Sequence, residues 1–501
     1  IELWISNRKP PFRYPQRDVQ PEASIRGTIS KKGSYLASMK SKFSVIGLLT
    51  VLLCFCLPAH AESAAGDWVG QLNGGFKVRI HIAQSDSGFT GYLTNPSGNR
   101  TDLDEVASDG THLHFAVTKL SLSYDGAWDA GQQTWKGKLT FQQVYPLTLN
   151  RATSADLEPA VHKRPQETAI TAGPLPYSQK DVVFENTAAH NRLAGTLTIP
   201  KGPGSFPAIV LVSGTGHNSR DEDVWGHKVF LVLADALSRK GFAVLRYDKR
   251  GVGGSTGDFQ SATTADFASD AEAAVTWLRA QSGIDSRNVG ILGHSEGGII
   301  APMVAVSDRN VAFAVMIAGP ALRGDKLFVL QSAMTAKAYG APEDYIARRK
   351  VFDQKLYDAI SKAPSQSAAH EAAVALVAEG VQEKVVDQNE AKNLANDDTT
   401  TWFRSFIAYD PAPTLARLNV PVLALYGSLD VQVPAIDDAL AAIEALKNNP
   451  GAMVVMLPGK NHLMQEAKTG GPNEYNDIEE TMSPSALNLI ADWALSLTKG
   501  K

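Results

Sequence analysis

Cysteine is nearly absent from this chain: of 501 residues only Cys54 and Cys56 carry a thiol, and both fall within the first 61 positions. Downstream there is no material for a disulfide framework, a thiolate metal site or a cysteine nucleophile. Two further signatures are missing. No Gly-Lys-Ser/Thr phosphate loop and no H-E-x-x-H zinc motif occurs, so neither of those metal or nucleotide chemistries is expected. The glycine-rich "RGVGGSTG" (250–257) follows a strand-like "FAVLRYD" (242–248). It lacks the G-x-G-x-x-G spacing of a dinucleotide site and reads as a surface loop. No cofactor is therefore expected. Basic charge is also scarce. Residues 1–61 hold nine Lys/Arg against three Asp/Glu, and without them the formal charge moves from −4 to −10. So acidic a chain is a poor nucleic-acid partner.

Long hydrophobic runs are confined to one place. "MKSKFSVIGLLTVLLCFCLPAHA" (39–61) has a basic start, an apolar run from Phe43 to Leu57 and small residues at Ala59 and Ala61. That is the layout of a secretory signal peptide, with cleavage expected after Ala61 and a periplasmic or secreted product. The run is shorter than the ~20 residues of a membrane span, so no stable span is expected in the mature chain. Leu53, where a lipoprotein needs a small residue, precedes Cys54. Residues 1–38 precede Met39 and read as an upstream extension.

Two patterns divide the rest of the chain. Residues 62–152 alternate apolar and polar side chains in short runs, "FKVRIHIAQ" and "HLHFAVT" among them. Turns about every ten residues point to a small antiparallel β domain, barrel or sandwich. Its aromatics Trp68, Tyr92, Tyr124, Trp128 and Trp135 read first as core, with an envelope or carbohydrate ligand groove as the alternative. Residues 153–176, with four prolines and no periodicity, read as a linker. From Tyr177 strands alternate with helices, which predicts a mostly parallel sheet covered on both faces. This α/β pattern spans 177–320 and 411–501. The Ala- and charge-rich stretch 321–410 interrupts it with helical periodicity and reads as a cap over the strands' C-terminal edge.

Within "VGILGHSEGG" (289–298), Gly293-His294-Ser295-Glu296-Gly297 fits G-x-S-x-G. A strand-like run precedes it and a helical run succeeds it, with Pro302 tolerable only in the first helical turn. Strand, tight turn and helix make Ser295 a candidate nucleophile, whose base and orienting acid should come later in chain order. Of 11 histidines only His370 and His462 do so. His370 lies in a helix of the insertion and reads as solvated. His462, in "MLPGKNHLMQ", lies on a loop just past a strand. Asp430 ends the strand of "PVLALYGSLDVQVP", at the edge where open α/β sheets bind ligands. Asp437 and Asp438 read as first-turn helix acids. The expected oxyanion donors are the backbone N–H of Glu296 and that of Thr215, with Gly216 as alternative. Arg246, Asp248 and Arg250 read as braces of loop ends. Trp402, Phe403 and Phe406 read as packing between cap and sheet, or as lining of a substrate pocket.

"SGTGHNSRDED", "RYDKRGVGGST", "GHSEGG", "PVLALYGSLDVQVP" and "GKNHLMQ" together resemble exported bacterial α/β-hydrolases, serine esterases of the monoacylglycerol-lipase and serine-aminopeptidase branch. The resemblance covers roughly 180–498 and implies a triad of Ser295, Asp430 and His462. The oxyanion loop departs from it, reading Ser-Gly-Thr-Gly where many relatives have His-Gly. The expectation is a serine carboxylesterase acting on a small-molecule ester. Two alternatives stand beside it: an aminopeptidase on the same triad, using Glu296 or the acids of "RDED" (220–223), and a catalytically silent envelope-ligand-binding protein.

Overall fold

The computed structural model describes residues 63–498 apart from 73–76, 95–99, 119–121, 142 and 158–162. The upstream extension 1–38 and the expected export signal 39–61 lie outside the described residues.

Nine antiparallel strands open the described chain: β1 (Gly66–Gln71), β2 (Lys77–Ser85), β3 (Gly88–Thr94), β4 (Arg100–Asp102), β5 (Glu105–Ser108), β6 (His112–Val117), β7 (Leu122–Asp129), β8 (Thr134–Phe141) and β9 (Gln143–Arg151). They form one sheet in the order β4-β3-β2-β1-β9-β8-β7-β6-β5. The period of two sorts side chains by face: Val78, Ile80 and Ile82 point into the core while Lys77, Arg79 and His81 do not. Trp68, Tyr124 and Trp135 are fully buried. The Trp68 indole N–H donates to the Ala64 carbonyl and the Tyr124 hydroxyl to that of Trp135, which satisfies two of these three polar groups. These three are core. Tyr92 lies outside that core, stacked on His81.

Two short helices, α1 (Ser154–Leu157) and α2 (Pro165–Ala172), occupy the stretch that reads as a linker. Pro165 starts α2 at a position where its missing N–H costs nothing. This helix is packed down. Gln166 Nε2 donates to the Met482 carbonyl, Glu167 Oε1 accepts from the Lys228 N–H and the Thr481 hydroxyl, and Ile170 is buried.

The second sheet contains β10 (Tyr177–Asn186), β11 (Asn191–Pro200), β12 (Phe206–Val212), β15 (Ala243–Tyr247), β16 (Ile284–His294), β17 (Ala314–Ile317), β18 (Val422–Gly427) and β19 (Ala452–Leu457). Its order is β10-β11-β15-β12-β16-β17-β18-β19, antiparallel over the first three strands and parallel thereafter. A minor hairpin, β13 (Asp223–Val224) and β14 (His227–Lys228), branches off after β12. Helices α3 (Val229–Arg239), α4 (Thr264–Arg279), α5 (Gly297–Ser307), α12 (Ala435–Leu446) and α13 (Pro484–Thr498) accompany the strands. Two hydrophobic cores result, one around β12, β16, α4 and α5, the other around α3 and α13. The central strands β12, β15, β17 and β18 are buried nearly end to end because both faces are covered. Between β17 and β18 the chain leaves the sheet for α6 (Gly324–Ala338), α7 (Glu343–Lys362), α8 (Gln366–Gln382), α9 (Gln388–Asp397) and α10 (Thr401–Ala408), and returns through α11 (Ala412–Leu415). The fold is thus an α/β-hydrolase sheet with a helical insertion, preceded by an all-β domain.

One local expectation is corrected. Pro302 lies at the sixth residue of α5, past its first turn. It has no N–H to offer the Gly298 carbonyl, so α5 runs through with one internal bond fewer.

Candidate active site

Ser295 sits between β16 and α5 with φ +54, a left-handed backbone that serine rarely adopts. The turn is held by its neighbours. The Ser295 N–H donates to the Ile317 carbonyl at the end of β17, and the Gly298 N–H donates to Ser295 O. Glycine is required on both sides of it. A Cβ on Gly293 would lie 1.8 Å from the Gly297 carbonyl oxygen, and one on Gly297 would lie 2.0 Å from that of Val212.

Asp430 and His462 meet at the same edge. Asp430 is fully buried; its Oδ1 accepts the N–H groups of Gln432 and Val433, and its Oδ2 lies 2.8 Å from His462 Nδ1. Three bonds fix the carboxylate, and the third directs His462 Nε2 away from it. His294, adjacent to Ser295, reaches across and donates from Nε2 to the His462 carbonyl at 3.1 Å. The two imidazole rings are 4.8 Å apart. His370 is elsewhere, on α8 beside the Ala395 carbonyl and the Thr399 hydroxyl.

The loop after β12 is organised by one of the acids of "RDED", in a role the sequence did not suggest for it. Glu222, fully buried with φ +47, accepts the Gly214 N–H at 2.6 Å and lies 3.1 Å from His294 Nδ1. Burial opposes charge on His294, yet the Glu222 carboxylate and the His462 carbonyl outweigh it and hold the imidazole above the usual histidine range. With Gly214 committed to Glu222, the N–H groups of Thr215 and Gly216 are the next on the loop. Among the described residues neither Thr215 N nor Glu296 N donates to a protein acceptor.

The Glu296 side chain is wholly engaged. Its Oε2 meets Lys249 Nζ at 3.0 Å, and its Oε1 accepts the Thr264 hydroxyl at 2.8 Å and the Trp402 indole N–H at 2.7 Å. Lys249, also buried, donates to the Gly214 carbonyl and faces the Phe267 ring. The strand-end placement that singles out Asp430 applies equally to Lys249, and it was the signal available for it. Arg246, Asp248 and Arg250 do brace loops, through Asp221, Arg220 and Asp270.

Trp402 borders a cavity of about 170 Å³ beside Thr215 and Gly216. Phe403 and Phe406 do not. Both are buried against Phe328, Phe403 within the cap and Phe406 toward the sheet. Asp437 and Asp438 both lie in the first turn of α12, as expected, and Asp437 is exposed; what differs is the burial of Asp438. Asp438 is fully buried, and its Oδ1 accepts the N–H groups of Ala321 and Leu322, where the chain enters the cap.

Residues 209–469 match the model of the alpha/beta hydrolase family. The chain belongs to that family. This hydrolase is 28% identical over 297 residues to Esterase EstD of Thermotoga maritima, a match covering 58% of the chain and 61% of that protein. It is 34% identical over 151 residues to an uncharacterized protein of Mycobacterium tuberculosis, covering 29% of the chain and 50% of that protein. The hydrolase thus spans less than two thirds of either relative's length. Among solved structures it aligns with the alpha/beta hydrolase GrgF from Penicillium sp. sh18 at 19% identity and a TM-score of 0.40, over 64% of this chain and 98% of that one. No group of three or more His, Cys, Asp or Glu arranged to hold a metal occurs among the described residues.

Proposed function

We propose that this hydrolase is a serine carboxylesterase that cleaves esters of short to medium carboxylic acids through an acyl-enzyme. The observation that carries the reading is the 2.8 Å contact of His462 Nδ1 with Asp430 Oδ2 at the edge where the Ser295 elbow ends β16. With Nδ1 engaged, His462 Nε2 takes the Ser295 Oγ proton as Oγ attacks the ester carbonyl carbon. The oxyanion accepts the N–H groups of Glu296 and Thr215. As the intermediate collapses, the C–O bond to the alcohol breaks and His462 returns the proton to it. Water then repeats the sequence on the acyl-enzyme, releasing the acid. Esterase EstD supports the ester reading by similarity.

The aminopeptidase alternative needs a free carboxylate for a substrate ammonium. Glu296 is neutralised by Lys249, Arg220 pairs with Asp248, Asp221 pairs with Arg246, and Glu222 serves Gly214 and His294. Asp223 is exposed. Ester hydrolysis asks for none of these acids. Our proposal includes export directed by residues 39–61; a mature chain beginning at Glu62 would support it, and an intact N-terminus on exported protein would not.

The test is Ser295→Ala. Turnover of model esters should fall by about five to six orders of magnitude with the fold intact, and a serine-directed phosphonate should add once, on Ser295. Labelling elsewhere, with activity kept in the variant, would sink the assignment.

A further inference from the structure

The cavity beside the oxyanion loop is walled by Thr215 and Gly216 on one side and by Phe259, Ala262, Phe267 and Trp402 on the others. Two of its wall residues, Thr215 and Trp402, connect it to the elbow. Thr215 comes after Gly214, whose added Cβ would lie 3.0 Å from Ser295 Cβ, and Trp402 is bonded to Glu296, the residue after the serine. None of its walls comes from the loops that bear Asp430 and His462. The group leaving from Ser295 must take its proton from His462 and therefore departs on that other side. The cavity is left for the part of the ester that stays on the serine.

We propose that Trp402 closes the acyl pocket of this enzyme and sets the length of acyl chain it accepts, keeping it to esters of short to medium carboxylic acids. This rests on the esterase reading above. Trp402 suits the task for two reasons. Its indole is large and apolar, and it comes from α10 of the cap rather than from the sheet. Its N–H is pinned at 2.7 Å to a carboxylate that is itself fixed by Lys249 and Thr264, so the ring is a wall with one set position. Phe259 and Phe267 supply the apolar sides opposite.

Two substitutions of the full-length protein should move the specificity in opposite directions. Trp402→Ala opens the cavity and should shift the preferred acyl chain longer by several carbons. Ala262→Leu adds bulk to the cavity wall and should shift the preference to acetate. Both are read as kcat/KM over a series of p-nitrophenyl esters from acetate to decanoate, and over acetates of alcohols of graded length. Opposite shifts in the acyl series with an unmoved alcohol series support the proposal. Coincident acyl profiles for all three proteins, or a shift in the alcohol series instead, overturn it and leave the esterase reading standing. Wild-type protein that cleaves no ester and takes no phosphonate on Ser295 overturns both.

Discussion

The imidazole of His294 spans the gap between Glu222 and the backbone carbonyl of His462, with Nδ1 3.1 Å from the first and Nε2 3.1 Å from the second. Because Glu222 also accepts the Gly214 N–H, one buried carboxylate couples the loop after β12, the elbow strand and the histidine loop. Such a group acts by positioning. Its charge keeps His294 protonated above the ordinary histidine range, so that Nε2 and Nδ1 are both donors. Glu222→Gln preserves the acceptor for Gly214 and removes the charge. It should lower kcat about tenfold with KM nearly unchanged, the scale of one charge-assisted bond. The pH effect has a definite sign. A raised histidine pKa means the charged form contributes fully below the ordinary value and is lost as pH rises through the raised one. In Glu222→Gln that loss comes earlier, so the alkaline arm of the rate profile should move to lower pH. Superimposable profiles for the two proteins would leave Glu222 a merely structural residue.

His462 and His370 should separate cleanly. His462→Ala should cost at least about four orders of magnitude in kcat, as removal of a general base does. His370→Ala, in the cap beside Ala395 and Thr399, should stay within about twofold of wild type. Steady-state hydrolysis of one soluble ester decides it, and the reverse pattern would move the site into the cap.

What the sequence made legible is what depends on short-range pattern. Alternation of strand and helix, the helical interruption at 321–410, and glycines around Ser295 are all local signals, and all of them shape the fold. The roles of Glu222 and His294 were not legible, because each is defined by a partner far along the chain. Glu222 meets a residue 72 positions away and His294 one 168 positions away. In sequence, Glu222 is one letter of the acidic run "RDED", which suggested only an acid for a substrate ammonium. The helix α2 was missed for another reason. Prolines around it suggest a linker, yet Pro165 itself is a helix-starting proline.

Asp438 gives a stability prediction with a definite direction. Burial raises its pKa to about 7 against the two backbone N–H groups that lower it, with Asp430 adding to the rise. Its Oδ2 has no partner among the described residues. The folded state therefore binds a proton more tightly than the unfolded chain, whose aspartate titrates near 3.8. Stability from this group is full below about pH 4 and declines as pH rises to about 7. Asp438→Asn keeps an acceptor for Ala321 and Leu322 without the buried charge. The Tm of the variant relative to wild type should rise between pH 5 and pH 8. A constant difference across that range would mean that Asp438 is not protonated at the lower pH.

The last prediction concerns where the hydrolase part begins. A sheet with both faces covered buries its own core and needs no second domain for that purpose. By pattern alone the cut would fall at Tyr177. The contacts of α2 argue for an earlier one. Arg164 donates to the carbonyls of Gly226, Asn476 and Ile478. Gln166 bonds to the backbone of Thr481 and Met482 in both directions. Glu167 joins Lys228 to Thr481. These partners flank Tyr475, whose hydroxyl accepts from Gln432 beside Asp430, and Glu480, whose carbonyl accepts from Gln465 on the His462 loop. A chain beginning at Lys163 should fold and cleave a small soluble ester at close to the full-length rate. One beginning at Tyr177 leaves the backbone donors of Lys228, Thr481 and Met482 unpaired and exposes the Ile170 contact. It should melt lower by several degrees, because each buried group left unmade costs about 1–3 kcal/mol. Equal melting of the two chains would make α2 a passenger. Loss of small-ester turnover in both, with Ser295 still reactive to phosphonate, would instead assign the β domain a part in building the site, through contacts such as that of Tyr145 with Tyr339 on the cap.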